Sequence, residues 1–424
     1  MTLTASELWV MATAAACAGA CALCGCFLVL RRMSMLGDAI SHAVLPGLAG
    51  AFLLTGTRDP LVMLLGAGAV GLLTTVLTAA IQRFGKVHED AAMGVVFSSM
   101  FALGVLLISR AADKVDLDPS CVLYGMIETV SIDRVGLLGV ELPRAFVVLG
   151  VAFGVNVVLV TVFFKELRLV CFDSALATSM GFAAGAVHYG LMALVAGTSV
   201  AAFEAVGSIL VVAMLVGPGA TAFLLTQRLG RMLWIAVAVG VACAAVGTVA
   251  AVWLDTSYAG AISVALGGAF ALALVFSPRE GLVVQQVRRL RLALKVRRED
   301  ILGTLVRMAE SGEREREHAG RLAVLNRGLG RVAAWQLVRR GLVAGGALTG
   351  AGEAEGRRVL AAHRLWETFL ATEVGLPVDH VHDPSERFEH FVSGEMEREL
   401  RVLHAAGVDP QGRPIPGGGG GGVG

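Results

Sequence analysis

The stretch Arg31-Arg32-Met33-Ser34-Met35-Leu36-Gly37-Asp38-Ala39-Ile40-Ser41-His42-Ala43-Val44-Leu45-Pro46-Gly47 decides how this chain is read. It lies between two long apolar runs and carries a carboxylate and an imidazole where lipid should exclude them. If the stretch is helical, Asp38 and His42 are four residues apart and share one face, with Ser41 beside them. A carboxylate and an imidazole are donor types for a divalent metal. Ionisable groups inside a membrane segment are costly, so they are expected to face a polar pathway. The plainer alternative is a loop, or an Asp38 that only pairs with Arg31 or Arg32.

The 424 residues are 56% hydrophobic, and mean hydropathy is +0.73. The apolar residues come in long runs, which excludes an ordinary soluble protein. The net charge of +1 hides an uneven distribution: 28 charged residues fall in 1–276 and 41 in 277–424. A sparse-charge membrane part is therefore followed by a charge-rich part of normal domain size. Cys21 and Cys24 have redox or zinc spacing, but their setting in an apolar helix makes them packing residues. The first apolar run has no basic residue before it and is expected to be a retained span.

Candidate spans cover about 7–30, 38–56, 60–82, 91–109, 145–164, 175–196, 199–226, 232–253 and 259–276. The basic residues Arg31/Arg32, Arg83/Lys86, Lys165/Arg168, Arg228/Arg231 and the run from Arg279 fall at alternate ends. The positive-inside rule makes those ends cytoplasmic, giving eight or nine spans with the N-terminus outside and the C-terminus inside. Asp113–Glu141 is acidic and would face outward, either concentrating cations at an entrance or serving as a solvated loop. Glu204 and, more weakly, His188 fall inside apolar segments and are candidates to line the interior. Gly217-Pro218-Gly219 is expected to break a span, or to kink it. Phe164–Gly181 is amphipathic, lies between two spans, and would offer a short helix to a cytoplasmic partner. No G-x-x-x-x-G-K-[ST] pattern occurs, so no nucleotide site is expected on this chain, and any ATPase is a separate one.

Three stretches then carry a resemblance: RRMSMLGDAISHAVLPGLA, FKELRLVCFDSALATSMGF and EAVGSILVVAMLVGPGATAFLLT. They resemble the membrane subunits of the manganese/zinc/iron ABC importers, in the family's order, over about residues 5–276. The resemblance implies an ATP-driven importer in a bacterial inner membrane. It also implies a second permease chain, a cytoplasmic ATPase and an extracytoplasmic metal-binding protein. Its metal-relay site maps to Asp38 and His42, with Ser41 and Glu204 as further candidates. Its ATPase-coupling element maps to Phe164, Lys165, Glu166, Leu167, Phe172 and Asp173.

Residues 277–298 form a basic juxtamembrane linker suited to anionic lipid. Asp300–Ala309 reads as a short amphipathic helix, and Ala319–Gly341 as helix, turn, helix with Gly328 and Gly330 at the turn. Val343–Glu353 reads as a Gly-rich hairpin. This is the outline of a winged helix-turn-helix over 299–355, with Arg331, Arg339 and Arg340 placed for phosphates, or simply on a solvated face. A further helix is expected over Gly356–Gly375, and four of the nine histidines fall in 363–390. His363 and Glu367, and then His382, Glu386, Glu389 and His390, supply enough imidazole and carboxylate for one or two metal sites; a charged helix with no metal is the alternative.

RRGLV, HRLWETFL, GLPVDHVHDPSERFEHFVSGEMEREL and DPQGRPIPG resemble the iron- and manganese-dependent repressors of the diphtheria-toxin-repressor type, over about 299–417. The resemblance implies a helical metal-binding and dimerisation domain over 356–416, ahead of a Gly-rich tail at 417–424. It assigns Glu386, Glu389, His390 and His363 as ligands, Glu367 and His382 to an ancillary site, and Asp300 as a ligand from the first helix. Gly303 stands where a second acid would be expected, and the recognition helix lacks a small polar face, so DNA binding is in doubt. The expectation is an all-α polytopic permease for Mn²⁺ or Fe²⁺, then Zn²⁺, fused to a cytoplasmic metal sensor. The alternatives are a membrane-tethered regulator without transport and a permease for a metal complex such as a siderophore. No nucleophile–base arrangement points to an enzyme.

Overall fold

The computed structural model describes residues 4–33, 35–56, 60–111, 127–137, 140–278, 281–310, 327–403 and 407–417. The described residues are 81% helical, and the chain divides into two compact units, Met1–Val284 and Gln285–Gly424.

In the first unit, α1 (Ala5–Leu30), α2 (Met35–Thr55), α3 (Pro60–Gly85) and α4 (Glu89–Ala111) precede a hairpin of β1 (Arg134–Leu137) and β2 (Val140–Pro143). Then follow α5 (Arg144–Val162), α6 (Phe164–Phe172), α7 (Ser174–Ser179), α8 (Ala184–Leu225), α9 (Leu229–Leu254) and α10 (Tyr258–Phe276). By length and composition, seven helical segments among the described residues can cross a membrane, and Pro46–Thr55 and Ala91–Leu107 are shorter apolar helices.

The hub is α1. It starts at a reciprocal cap: Glu7 N–H donates to Thr4 Oγ1 and Thr4 N–H donates to Glu7 Oε2. Its length is dominated by Ala, Gly and Cys and is buried on nearly all sides. Lipid tails are as apolar as leucine, so small residues that allow close packing hold such helices together. A Cβ on Gly25 would overlap the carbonyl oxygen of Leu215 on α8. Cys17, Cys21, Cys24 and Cys26 are free and buried here as small packing residues. Asn156 on α5, 1% exposed, donates to Ala20 O at 3.1 Å and to Thr198 Oγ1 at 2.9 Å, joining three helices.

Two expectations are corrected in α8. The span drawn from 175 begins only at Ala184, because residues 174–179 form the separate α7; the two spans expected here are present as Ala184–Phe203 and Ala205–Leu225, in two helices that join across a kink. The break expected at Gly217-Pro218-Gly219 is at Gly207, whose φ of 77° and ψ of 165° interrupt the helix. Pro218 stays helical, and Thr221 Oγ1 donates to Gly217 O at 2.7 Å. Gly219 is there for packing instead, since a Cβ would lie 3.1 Å from Gly25 C. The acidic segment is also not all loop. Its described part contains the β1–β2 hairpin, with Arg134–Glu141 and Arg144–Asp133 ion pairs; Asp113, Asp116 and Asp118 lie outside the described residues.

The second unit contains most of α11 (Leu282–Glu310), then α12 (Leu329–Arg339), β3 (Val343–Ala344), β4 (Ala347–Leu348), α13 (Gly350–Thr372), α14 (His382–Phe388), a 3₁₀ turn (Glu389–Phe391) and α15 (Gly394–Leu403). The basic stretch and the short helix at 300–309 are therefore one helix. The hairpin is only 343–348, turning on Gly345 (φ 59°) and Gly346 (φ 84°). Its expected last residues belong to α13, which starts six residues before Gly356 because Thr349 Oγ1 caps Gly352 N–H. The first helix of the expected helix-turn-helix falls at 319–326, outside the described residues. On α12, Gly330, Ala333 and Leu337 are buried. Arg331, Val332, Trp335, Val338, Arg339 and Arg340 are exposed, a face with no small polar residue.

Candidate metal centre

Four segments of the second unit converge their acids and imidazoles. Glu299 and Asp300 come from α11, and His363 and Glu367 come from α13. His382 and Glu386 come from α14, and Glu389 and His390 from the 3₁₀ turn. His363 and Glu367, one turn apart, are 1% and 0% exposed. They occupy the inward stripe of α13 that would otherwise be apolar.

Two clusters result. In one, ligand atoms of His363, Glu367 and His382 lie within 4.8 Å of one another. His363 Nε2 is 3.0 Å from Glu367 Oε1 and 3.1 Å from His382 Nδ1, which is itself 2.8 Å from Glu367 Oε1. In the other, His390 Nε2 is 3.1 Å from Asp300 Oδ1 and 3.7 Å from Glu389 Oε1. His363 joins them, because its Nδ1 lies 2.5 Å from Glu389 Oε2. Glu386 sits at the edge, 3.3 Å from His382 Nε2. His380 is on the surface, paired with Asp379.

Several participants escape a reading of the sequence. Glu299 Oε2 is 2.9 Å from His390 Nδ1. Arg307 faces both Glu386, at 3.9 Å, and Glu389, at 3.7 Å. Arg413 is 3.2 Å from Glu367 Oε2 and is itself held by Asp409 at 2.6 Å. The Glu299-Asp300 pair was a visible signal, but the two arginines are distant in sequence and come close only in the fold.

Burial alone would raise the Glu367 carboxyl. Hydrogen bonds from His363 and His382 and the charge of Arg413 outweigh it and hold the group down at about 2. Hydrogen bonds to Glu367 and then Glu386 lift His382 to about 9. His390 is lowered by burial, but hydrogen bonds to Asp300 and Glu299 prevail and bring it to about 9. Ionised buried carboxylates facing protonated imidazoles are a charge arrangement that a dication can take over by displacing the protons. The donors are all nitrogen and oxygen, with no thiolate, a set suited to Mn²⁺, Fe²⁺ or Zn²⁺.

In the first unit, Asp38, Ser41 and His42 lie in the first two turns of α2, Asp38 and His42 four residues apart, and Glu204 lies on α8 three residues before the Gly207 break. The side chains of these four are outside the described set. His188 stacks at a tilt on Tyr189, with ring centroids 5.3 Å apart. On α6 and α7, Leu167 is buried, Phe164 and Glu166 are partly buried, and Lys165, Phe172 and Asp173 are exposed. Asp173 caps α7 by accepting from Leu176 N–H at 2.9 Å.

A bundle with helices of membrane-crossing length followed by a unit holding two N/O-donor clusters defines a membrane protein with an appended candidate metal centre. The chain belongs to the ABC 3 transport family, whose model matches residues 6–277. Residues 349–417 match the metal-binding and dimerisation domain of the iron-dependent repressors. The chain is 43% identical over 285 residues to the manganese transport system membrane protein MntD of Bacillus subtilis (strain 168), covering 67% of this chain and 96% of the relative. It is 42% identical over 264 residues to the zinc transport system membrane protein TroD of Treponema pallidum (strain Nichols), covering 62% and 72%. Among solved structures, PsaBC from Streptococcus pneumoniae in complex with Fab aligns with TM-score 0.57 at 30% identity, over 67% of this chain and 96% of that one.

Proposed function

We propose that this chain is the permease subunit of an ATP-driven importer of a divalent transition metal, Mn²⁺ or Fe²⁺ first and Zn²⁺ second, with a fused cytoplasmic metal sensor. The manganese and zinc relatives named above support the cargo class, and the lack of a G-x-x-x-x-G-K-[ST] pattern supports a reading in which a separate chain hydrolyses ATP. We read the chain as a permease over 1–276, a basic stretch over 277–298, a degenerate winged helix over 299–355, a metal-binding domain over 356–416 and a tail. The partners on this reading are a second permease chain, a cytoplasmic ATPase meeting the exposed residues of α6 and α7, and an extracytoplasmic metal-binding protein. Asp38 and His42, with Ser41 and Glu204, would hold the ion in transit. Few protein ligands suit a relay that must release its cargo.

In the sensor, His363, Glu367 and His382 would hold one ion, and Asp300, Glu389 and His390 another. The observation that carries the reading is the occurrence of both clusters, joined through His363 and Glu389, on a chain of a metal-transport family. Cytoplasmic metal would then act on its own uptake. Arg331, Arg339 and Arg340 offer phosphate contacts, but the apolar face around Trp335 offers nothing to read bases, so action on the transporter is the favoured output over DNA binding. Radiolabelled Mn²⁺ uptake by cells carrying the intact system tests transport. Asp38→Ala should reduce it to background, and unchanged uptake would refute the relay. Stoichiometric Mn²⁺ binding by the purified chain, weakened by His390→Ala, tests the sensor.

A further inference from the structure

We propose that Glu299 is a positioning residue that orients His390 toward a bound dication, doing so from α11. The inference rests on the sensor reading above. A metal-bound histidine coordinates through one ring nitrogen and commonly donates the other N–H to a carboxylate, which fixes tautomer and ring orientation. His390 is arranged in this way. Its Nε2 faces the prospective ligands Asp300, at 3.1 Å, and Glu389, at 3.7 Å. Its Nδ1 faces Glu299 Oε2 at 2.9 Å. Glu299 is thus on the far side of the ring from the donor cluster and acts through His390.

Glu299 is itself held. Lys295, one turn earlier on α11, has its Nζ 3.8 Å from Glu299 Oε1 and donates to the backbone oxygen of His390 at 2.8 Å. One ammonium therefore ties together the carboxylate and the main chain of the residue it orients. The His390 side chain is 3% exposed and that of Glu299 15%, so water competes weakly for the contact. Asp300 must point from α11 into the cluster, and Glu299 precedes it by one residue, about 100° around the helix. That offset is what lets adjacent acids reach opposite nitrogens of one imidazole. These two acids of α11 thus divide into one ligand and one orienter.

The test uses the full-length chain in detergent and measures Mn²⁺ affinity by competition with a chelating fluorophore. Loss of such an orienting carboxylate typically weakens metal binding about 10- to 100-fold, and that loss is expected for Glu299→Ala. Glu299→Gln, which keeps the volume and one acceptor, should fall in between, and Glu299→Asp should recover part of the loss. In a His390→Ala background, Glu299→Ala should have no further effect, and the visible spectrum of the Co²⁺-loaded chain should shift in the single Glu299→Ala variant. Wild-type affinity in Glu299→Ala, or a full additional loss in the His390→Ala background, overturns the assignment. If the wild-type chain binds Mn²⁺ and His390→Ala weakens it while Glu299→Ala does not, this inference fails and the sensor reading stands. If the wild-type chain binds no Mn²⁺, both fail.

Discussion

His363 uses both ring nitrogens: Nε2 lies 3.0 Å from Glu367 and Nδ1 lies 2.5 Å from Glu389. One imidazole therefore belongs to the first cluster and contacts Glu389 of the second, so the two cannot be independent. His363→Ala should impair metal binding at both, changing stoichiometry as well as affinity. His382→Ala should affect only the cluster it shares with Glu367. Mn²⁺ titrations of the two variants distinguish these outcomes, and equal loss in both would contradict the geometry.

Affinity should rise with pH. His382 and His390 bind their protons up to about pH 9 when no metal is present, so at neutral pH a dication must displace them. Mn²⁺ affinity should climb between pH 6.5 and 9 and then level off. Calorimetry in buffers of differing ionisation enthalpy should detect proton release on binding.

The metal-free stability of the second unit should run the other way. A histidine whose folded pKa lies above its unfolded value of 6.5 stabilises fully below that value and loses the contribution as pH rises through about 9. The thermal midpoint without metal should decline over that interval. With saturating Mn²⁺ the decline should be reduced, since the imidazoles are then deprotonated in the folded state.

Arg413 supplies the cation for a carboxylate that is 0% exposed. Removing one partner of a buried pair costs about 3–5 kcal/mol, but the Arg413 side chain is 47% exposed, so about 1–2 kcal/mol is expected after screening. Arg413→Ala should lower the metal-free thermal midpoint, and Mn²⁺ should restore it because the dication replaces the lost charge. A midpoint unaffected in both states would show that the pair contributes nothing.

Gly25→Ala should destabilise the membrane unit. The new Cβ meets the Leu215 backbone, and a backbone cannot move aside as a side chain does. Overpacking of this kind costs about 1–3 kcal/mol. A thermal-shift assay in detergent should register the loss, with Gly50→Ala as the control, since a Cβ there meets nothing within 4 Å.

Much was legible in order of sequence. Apolar length and sparse charge mark the membrane helices, because a bilayer imposes one length on any spanning helix. The spacing of His363 and Glu367 is by itself enough to put them on one face of a helix. What stayed hidden was whatever depends on helices meeting. A Gly-Pro-Gly triplet reads as a break, yet its Gly219 is needed for the contact with Gly25, and the break is at a lone glycine, Gly207, with nothing beside it to attract notice. The residue types of the candidate metal centre, carboxylate and imidazole, were determined by the sequence alone. Tertiary structure alone decided their grouping. It brings Asp300 within 3.1 Å of His390, ninety residues away. It also sets Glu299 on the opposite nitrogen, because helix phase and packing, not spacing along the chain, choose which atoms face each other.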